Sequence, residues 1–249
     1  MNALAGRRVL VTRPRAQAAS LVAALEVAGA VPVILPLLTI APPDDPGPAE
    51  SALDRLDQYD WIVCTSANGA RAFGERWASR SRPFPPGPRV AVIGPRTAEA
   101  ARAAGLVVHA QPPEFRGSAV PASLGDLGER RVLLPRSDIG REETLEALAA
   151  AGAIVDDVVF YRTVREAPDD DALRALRAGV DVMTFMSPSA VEAFVALLGD
   201  EAATLAARAT VACIGPVTAD AARAVGLPVH IQSATYTSEA LVDALLAAL

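Results

Sequence analysis

Short runs of apolar, β-branched residues alternate with alanine-rich segments along the whole chain. The runs at Arg8–Thr12, Trp61–Cys64 and Val90–Ile93 are only four or five residues long, which favours buried strands. Between them, apolar positions recur at helical spacing, as in the segment that ends at Gly29. Strands that alternate with helices predict an α/β fold whose parallel sheets are covered on both faces.

The pattern starts again at Arg131 and matches the first half of the chain. Val132 lies 123 positions after Val9, and Gly215 lies 121 positions after Gly94, so one two-residue adjustment aligns the two halves. Such a match predicts a duplicated βα unit, and five strands in each half suit two flavodoxin-like, doubly wound parallel-sheet domains. Ligands of such domains bind at the carboxyl ends of the strands.

A Gly-Pro loop occurs at the same place in both halves. Gly94 and Gly215 each end a strand-like run, a proline follows, and Thr97 or Thr218 comes two residues later. Glycine permits a sharp turn, and proline suits the first position of a helix, whose N–H needs no partner. The free N–H groups of the first helical turn can bind a carboxylate or a phosphate, so two such loops predict a polyanionic ligand.

Composition and charge restrict the function. The 249-residue chain has a net charge of −6 and shows no clustered basic face, which argues against a nucleic-acid partner. It contains no lysine, which excludes Schiff-base chemistry, pyridoxal phosphate attachment and a Walker lysine. Cys64 and Cys213 stand in strand-like runs and are expected to be buried thiols. With no apolar run of about 18 residues and no secretory signal, we expect a cytoplasmic protein without membrane contact, and a monomer.

Several short motifs, taken in order, resemble those of the uroporphyrinogen-III synthase family over almost the full length. They are Val11-Thr12-Arg13-Pro14, Thr65-Ser66-Ala67-Asn68-Gly69, Ile93-Gly94-Pro95 with Thr97, Arg141-Glu142-Glu143 with Leu145, Tyr161-Arg162-Thr163, Ser187-Pro188-Ser189-Ala190, Ile214-Gly215-Pro216 with Thr218, and Tyr236-Thr237 with Glu239 and Leu241. The resemblance implies a discontinuous first domain, residues 1–38 and 165–249, and a second domain, residues 41–160. Residues 37–40 and 161–164 would form a two-stranded linker, with the substrate in a cleft between the domains.

The reaction implied by the resemblance is the cyclisation of hydroxymethylbilane to uroporphyrinogen III. Water is lost from ring A, and ring D is inverted through a spiro intermediate. No cofactor or metal is expected. The linear tetrapyrrole carries an acetate and a propionate on each ring, and hydroxymethylbilane synthase could hand it over in a transient encounter. Because the substrate closes without inversion when no enzyme is present, the protein would act mainly by holding a conformation.

Tyr161 is the first candidate for chemistry, since its phenol could hydrogen-bond the departing hydroxyl group. It could equally be an amphipathic hinge residue that packs its ring and hydrates its hydroxyl. The candidate substrate-binding residues are Arg13, Thr65, Ser66, Asn68, Gly94, Thr97, Arg136, Ser187, Ser189, Gly215, Thr218, Tyr236 and Thr237.

Structural interpretations of these residues remain open. The serines and Asn68 could simply cap helices, the two threonines could be ordinary first-turn residues, and Arg13 and Arg136 could pair with protein carboxylates instead of a propionate. His109 and His230 are interpreted as structural. The run Asp169-Asp170-Asp171 is expected to begin a helix.

Three other functions compete with the synthase. A non-catalytic two-domain receptor could also clamp a polyanionic small molecule, and it would bind without turnover. A dinucleotide-dependent enzyme is less compatible, because neither Gly-Pro loop has Gly-x-Gly-x-x-Gly spacing. A phospho-acceptor domain shares the fold class, but it needs an acidic cluster and a lysine, and this chain contains no lysine.

Overall fold

A computed structural model describes residues 3–140, 142–168 and 170–249, so Arg141 and Asp169 lie outside the described residues. The chain divides into two compact units. The first contains the residues up to Thr39 together with Val164–Leu249, and the second contains Ile40–Thr163. Each unit has its own parallel sheet with helices, and the predicted α/β fold with two such domains is confirmed.

The sheet of the first unit has five described strands, in the order β11-β10-β9-β1-β2. These strands are β1 (Arg8–Val11), β2 (Val31–Ile34), β9 (Val182–Phe185), β10 (Thr210–Cys213) and β11 (Ile231–Gln232). All neighbours run parallel. The chain leaves β1 toward β2 and returns on the other side with β9, so β1 and β9 form the switch point of the sheet.

Among the described residues, five helices of eight or more residues cover this sheet. They are α1 (Arg15–Val27), α7 (Asp170–Arg177), α8 (Pro188–Leu198), α10 (Pro216–Ala224) and α11 (Ser238–Ala248), and the shorter α9 (Glu201–Ala206) follows α8. The strands are buried on both faces because α1 and α11 pack on one side and α7, α8 and α10 on the other. Strands such as β9 are therefore apolar at nearly every position, because neither of their faces is exposed to water.

The sheet of the second unit has six described strands, in the order β3-β8-β7-β4-β5-β6. These are β3 (Leu38–Ala41), β4 (Trp61–Cys64), β5 (Arg89–Val92), β6 (Val108–Ala110), β7 (Arg131–Ser137) and the 12-residue β8 (Ile154–Arg165). Its helices are α2 (Gly47–Asp54), α3 (Ala67–Ala78), α4 (Pro95–Ala103), α5 (Val120–Leu124) and α6 (Glu143–Ala150). The switch point here lies between β4 and β7.

The internal repeat is visible in hydrogen bonds as well as in sequence. Nδ1 of His109 accepts the backbone N–H of Val90 at 3.1 Å, and Nδ1 of His230 accepts that of Val211 at 2.9 Å. Each histidine thus supplies an acceptor for the strand beside it. Both histidines serve the fold in this way, in agreement with their structural interpretation.

Both thiols are buried and free, as expected. Burial raises the pKa of Cys64 to about 12 and that of Cys213 to about 11. None of the described helices has the length and apolar character that a membrane-spanning helix requires.

Candidate functional site

The predicted site residues lie toward the carboxyl ends of neighbouring strands, or directly after them, in each unit. In the second unit, Ser66 follows β4, Gly94 follows β5, Arg136 lies near the end of β7, and Tyr161 lies on β8. These four strands are adjacent in the sheet, so the topology brings the residues to one edge. Because Ser66 and Arg136 stand at the switch point between β4 and β7, this edge is where ligands of doubly wound sheets bind.

Ser66 connects a helix cap to the candidate catalytic tyrosine. Its Oγ accepts the backbone N–H of Gly69 at 3.0 Å, which caps α3. The same oxygen lies 3.0 Å from the hydroxyl of Tyr161. Gly69 leaves room for this arrangement, because a Cβ there would stand 3.2 Å from Ser66 Oγ and 3.0 Å from the carbonyl oxygen of Pro135. Capping and contact with Tyr161 are therefore combined in one side chain.

The hydroxyl of Tyr161 lies in a largely buried polar network. The residue is 6% exposed, and Ser137 on β7 pairs with it in the strand register. Oγ of Ser137 donates to Oδ1 of Asp138 at 2.8 Å, and the same Asp138 oxygen accepts the backbone N–H of Thr163 at 3.2 Å. A carboxylate therefore ends a row of hydroxyl groups beside the phenol.

This environment determines the protonation of the phenol. Burial raises the pKa of Tyr161 above its ordinary value of 10.0, and the negative charge of Asp138 adds to the rise. The hydroxyls of Ser66 and Ser137 act in the opposite direction, because they stabilise the phenolate by hydrogen bonding. The phenol consequently keeps its proton throughout the neutral range and can donate a hydrogen bond.

The two Gly-Pro loops begin helices as the sequence predicts. Gly94 and Gly215 are the N-cap residues of α4 and α10, with a proline at the first helical position of each. Thr97 and Thr218 are buried in the first turn, so their side chains pack into the units. What these loops offer a ligand is mainly the backbone N–H groups of the first helical turn.

The candidate residues of the first unit also gather at the carboxyl ends of its strands. Ser187 caps α8 by accepting the N–H of Ala190 at 3.2 Å, and its Oγ lies 3.0 Å from that of Ser189. Thr237 caps α11 by accepting the N–H of Ala240 at 3.1 Å. The capping interpretation thus applies to Ser66, Ser187 and Thr237 alike, and it leaves the neighbouring N–H groups available to a ligand.

The arginine candidates are already engaged with protein groups. Nε of Arg136 pairs with Oδ1 of Asp157 at 2.5 Å, and its guanidinium also donates to the carbonyl oxygen of Ser137 at 2.9 Å. Arg13 is buried and donates to Oγ of Ser238 at 3.2 Å. Thr65 is partly buried in the loop after β4. Asn68 is partly buried in the first turn of α3, and its Oδ1 accepts from Arg71 at 3.1 Å.

Three residues of the second unit that the sequence did not single out belong to the carboxyl edge of its sheet. Ser137 and Asp138 form part of the Tyr161 network, and the side chain of Phe115 packs on Gly94, at 3.8–4.0 Å from a Cβ built there. The internal repeat could have indicated Phe115, because the candidate residue Tyr236 lies 121 positions after it, which is the offset between the two halves. The network residues gave no such signal, since their roles depend on strand pairing.

The described residues hold no metal site that competes with this arrangement. Within residues 3–140, 142–168 and 170–249, no group of three or more His, Cys, Asp or Glu side chains is arranged to hold a metal ion. A separate open cavity of about 350 Å³ in the first unit is lined by residues such as Leu37, Pro168 and Leu197, and it contains none of the candidate residues.

Comparison with known proteins identifies the family. The model of the uroporphyrinogen-III synthase HemD family matches residues 19–243. The chain is 30% identical to uroporphyrinogen-III synthase of Synechococcus elongatus over 251 aligned positions, which cover 97% of this chain and 95% of that protein. It is 30% identical to the chloroplastic uroporphyrinogen-III synthase of Oryza sativa, over 97% of this chain and 80% of that protein.

The fold is shared with a solved structure. The crystal structure of a mutant uroporphyrinogen III synthase from the extremely thermophilic bacterium Thermus thermophilus matches with a TM-score of 0.68 and 21% identity, and the match covers 98% of each chain. The family model spans most of the chain and the matched relatives are enzymes, so the receptor alternative is not supported. The chain belongs to the uroporphyrinogen-III synthase family, the hydro-lyases that act in tetrapyrrole biosynthesis.

Proposed function

We propose that this enzyme takes hydroxymethylbilane as its substrate and closes it to uroporphyrinogen III in the cytoplasm. The family supplies the reaction, and the loops supply a chemical rationale for the substrate. Acetate and propionate groups are matched by the helix N-termini that follow Gly94 and Gly215 and by the caps at Ser66, Ser187 and Thr237. Arg13 and Arg136 then act by shaping their loops, because their guanidinium groups already bind protein oxygens.

Tyr161 is proposed to act on the hydroxyl group that leaves ring A. The observation that carries this assignment is the Tyr161 phenol, held 3.0 Å from Ser66 Oγ at the carboxyl edge of the sheet and kept protonated by burial. A protonated phenol donates a hydrogen bond to a departing hydroxide and stabilises the charge that develops on it. Loss of that group leaves the electrophile that ring D attacks, and the protein holds the chain in the conformation that inverts ring D.

The experiment compares Tyr161→Phe with Tyr59→Phe. Both variants remove one buried phenol hydroxyl from the second unit, but that of Tyr59 donates to Asp156, outside the candidate site. Positioned acids contribute about 10²–10⁴ in rate, so Tyr161→Phe should lower kcat by about tenfold or more. Tyr59→Phe should leave kcat unchanged. Full activity of folded Tyr161→Phe would reject the acid role.

A further inference from the structure

Exposed aromatic side chains occur at one position of the internal repeat. The chain has eleven Phe, Tyr and Trp residues, and the structure describes all of them. Two are exposed: Phe115, with 55% of its surface accessible, and Tyr236, with 54%. They lie 121 positions apart, which is the offset that relates Gly94 to Gly215. Scattered exposed apolar residues need no explanation, but two rings at equivalent places in two units do.

Each ring packs against the glycine of its own Gly-Pro loop. A Cβ built on Gly215 would lie 2.6 Å from Cδ1 of Tyr236 and closer still to Cε1, and one built on Gly94 would lie 3.8 Å from Cγ of Phe115. One side of each ring thus rests on the backbone of its loop, and at Gly215 this packing requires the absence of a side chain. About half of each residue's surface stays exposed, immediately beside the first turn of α4 or α10.

We propose that Phe115 and Tyr236 are substrate-contacting residues, each of which stacks on a pyrrole ring of the linear tetrapyrrole. A flat aromatic surface fixed on a backbone suits a flat, apolar heteroaromatic ring, because offset stacking of two rings is favourable beyond the area that it buries. The adjacent loop is the place where the carboxylates on that pyrrole would bind. Phe115 therefore has the same role in the second unit as Tyr236 in the first.

This inference rests on the proposed substrate, and it distinguishes aromatic character from simple bulk. Phe115→Leu keeps an apolar side chain of similar size but removes the ring, whereas Phe115→Tyr keeps the ring. Val107→Ala is the matched control, because Val107 is an exposed apolar residue of the same unit outside the candidate loops. Tyr236→Leu and Tyr236→Phe form the corresponding pair in the first unit.

The experiment measures KM, kcat and the ratio of type III to type I product with hydroxymethylbilane generated in situ. We expect Phe115→Leu and Tyr236→Leu to raise KM by about fivefold, with kcat little changed, because a lost stacking contact weakens binding without touching the reacting group. More type I product should form, since unbound substrate closes without inversion. Phe115→Tyr and Tyr236→Phe keep the ring and should raise KM less than the corresponding leucine variants, and Val107→Ala should behave like the wild type.

The outcomes separate this inference from the proposed function. If the wild-type protein forms type III product while both leucine variants keep its KM, the stacking role is wrong and the substrate assignment stands. If Phe115→Tyr is as impaired as Phe115→Leu, aromatic character is not what matters and the inference is also wrong. If the wild type forms only type I product, the proposed function itself fails.

Discussion

Replacing Gly215 by alanine is expected to displace the Tyr236 ring, whereas the same change at Gly94 should be accommodated. The new Cβ would stand 2.6 Å from Cδ1 of Tyr236 and closer still to Cε1, far inside the usual carbon–carbon contact distance of about 3.5–4.0 Å. At Gly94 the nearest ring carbon of Phe115 is 3.8 Å away, an ordinary contact. The ring of Tyr236 must therefore move by about 1 Å or more.

The two substitutions are closely matched in every other respect. Both glycines are N-cap residues in extended conformation, with φ of 175° at Gly215 and −141° at Gly94, so neither substitution strains the backbone. Loss of a glycine cap costs about 0.5–1 kcal/mol at either place. Overpacking adds about 1–3 kcal/mol. Because Tyr236 is half exposed and can turn outward, we expect the lower end, about 1 kcal/mol of extra destabilisation in Gly215→Ala.

The assay is urea unfolding followed by circular dichroism, arranged as a double-mutant cycle. Gly215→Ala is measured in the wild-type protein and in a Tyr236→Ala background, where the obstructing ring is absent. The cost of Gly215→Ala should fall by about 1 kcal/mol in that background and approach the cost of Gly94→Ala. An equal cost in both backgrounds would refute the packing of Tyr236 on Gly215.

Three further predictions concern the phenol and the thiols. Asp138→Asn should lower the pKa of Tyr161 and Ser66→Ala should raise it, because the carboxylate disfavours the phenolate and the Ser66 hydroxyl favours it. Absorbance titration of tyrosinate, with Tyr161→Phe as the reference, measures both pKa shifts. Shifts of the same sign would contradict the hydrogen-bond network around Tyr161. Cys64 and Cys213 should not react with a thiol reagent at about pH 8 until the protein unfolds, and rapid labelling of the native protein would contradict their burial. Since burial raises the folded pKa of Cys64 from 9.0 to about 12, its contribution to stability is complete below pH 9 and is lost as the pH rises toward 12. Between about pH 9 and pH 10, the unfolding free energy of Cys64→Ala should therefore fall by about 1 kcal/mol less than that of the wild type. Equal losses would show that the buried Cys64 thiol does not cause this pH dependence.

The sequence predicted most of the strands because its apolar periods and its internal offset reflect backbone hydrogen bonding and burial. The long run Val31–Ile40 divides into β2 and β3, which belong to different sheets. The strand after α4 begins only at Val108, beyond the turn at Ala104 and Gly105. Strand boundaries depend on pairing with a neighbour, which no local pattern specifies.

The candidate site was predicted at the level of loops and less well at the level of side chains. Gly-Pro and Ser-rich loops predict where helices begin, and parallel strands place those helix N-termini at the carboxyl edge of the sheet. The pairing of Arg136 with Asp157 and the contact of Tyr161 with Ser66 join residues 21 and 95 positions apart. Only the register of β7 and β8, and the position of β4 beside β7, bring those groups together.

The most direct test of this account is the isomer composition of the product. Hydroxymethylbilane is generated in situ, this protein is added, the product is oxidised, and the type I and type III uroporphyrins are separated by chromatography. We expect predominantly type III uroporphyrin, formed in proportion to the amount of added protein. Type I uroporphyrin alone, with the protein shown to be folded, would contradict the account.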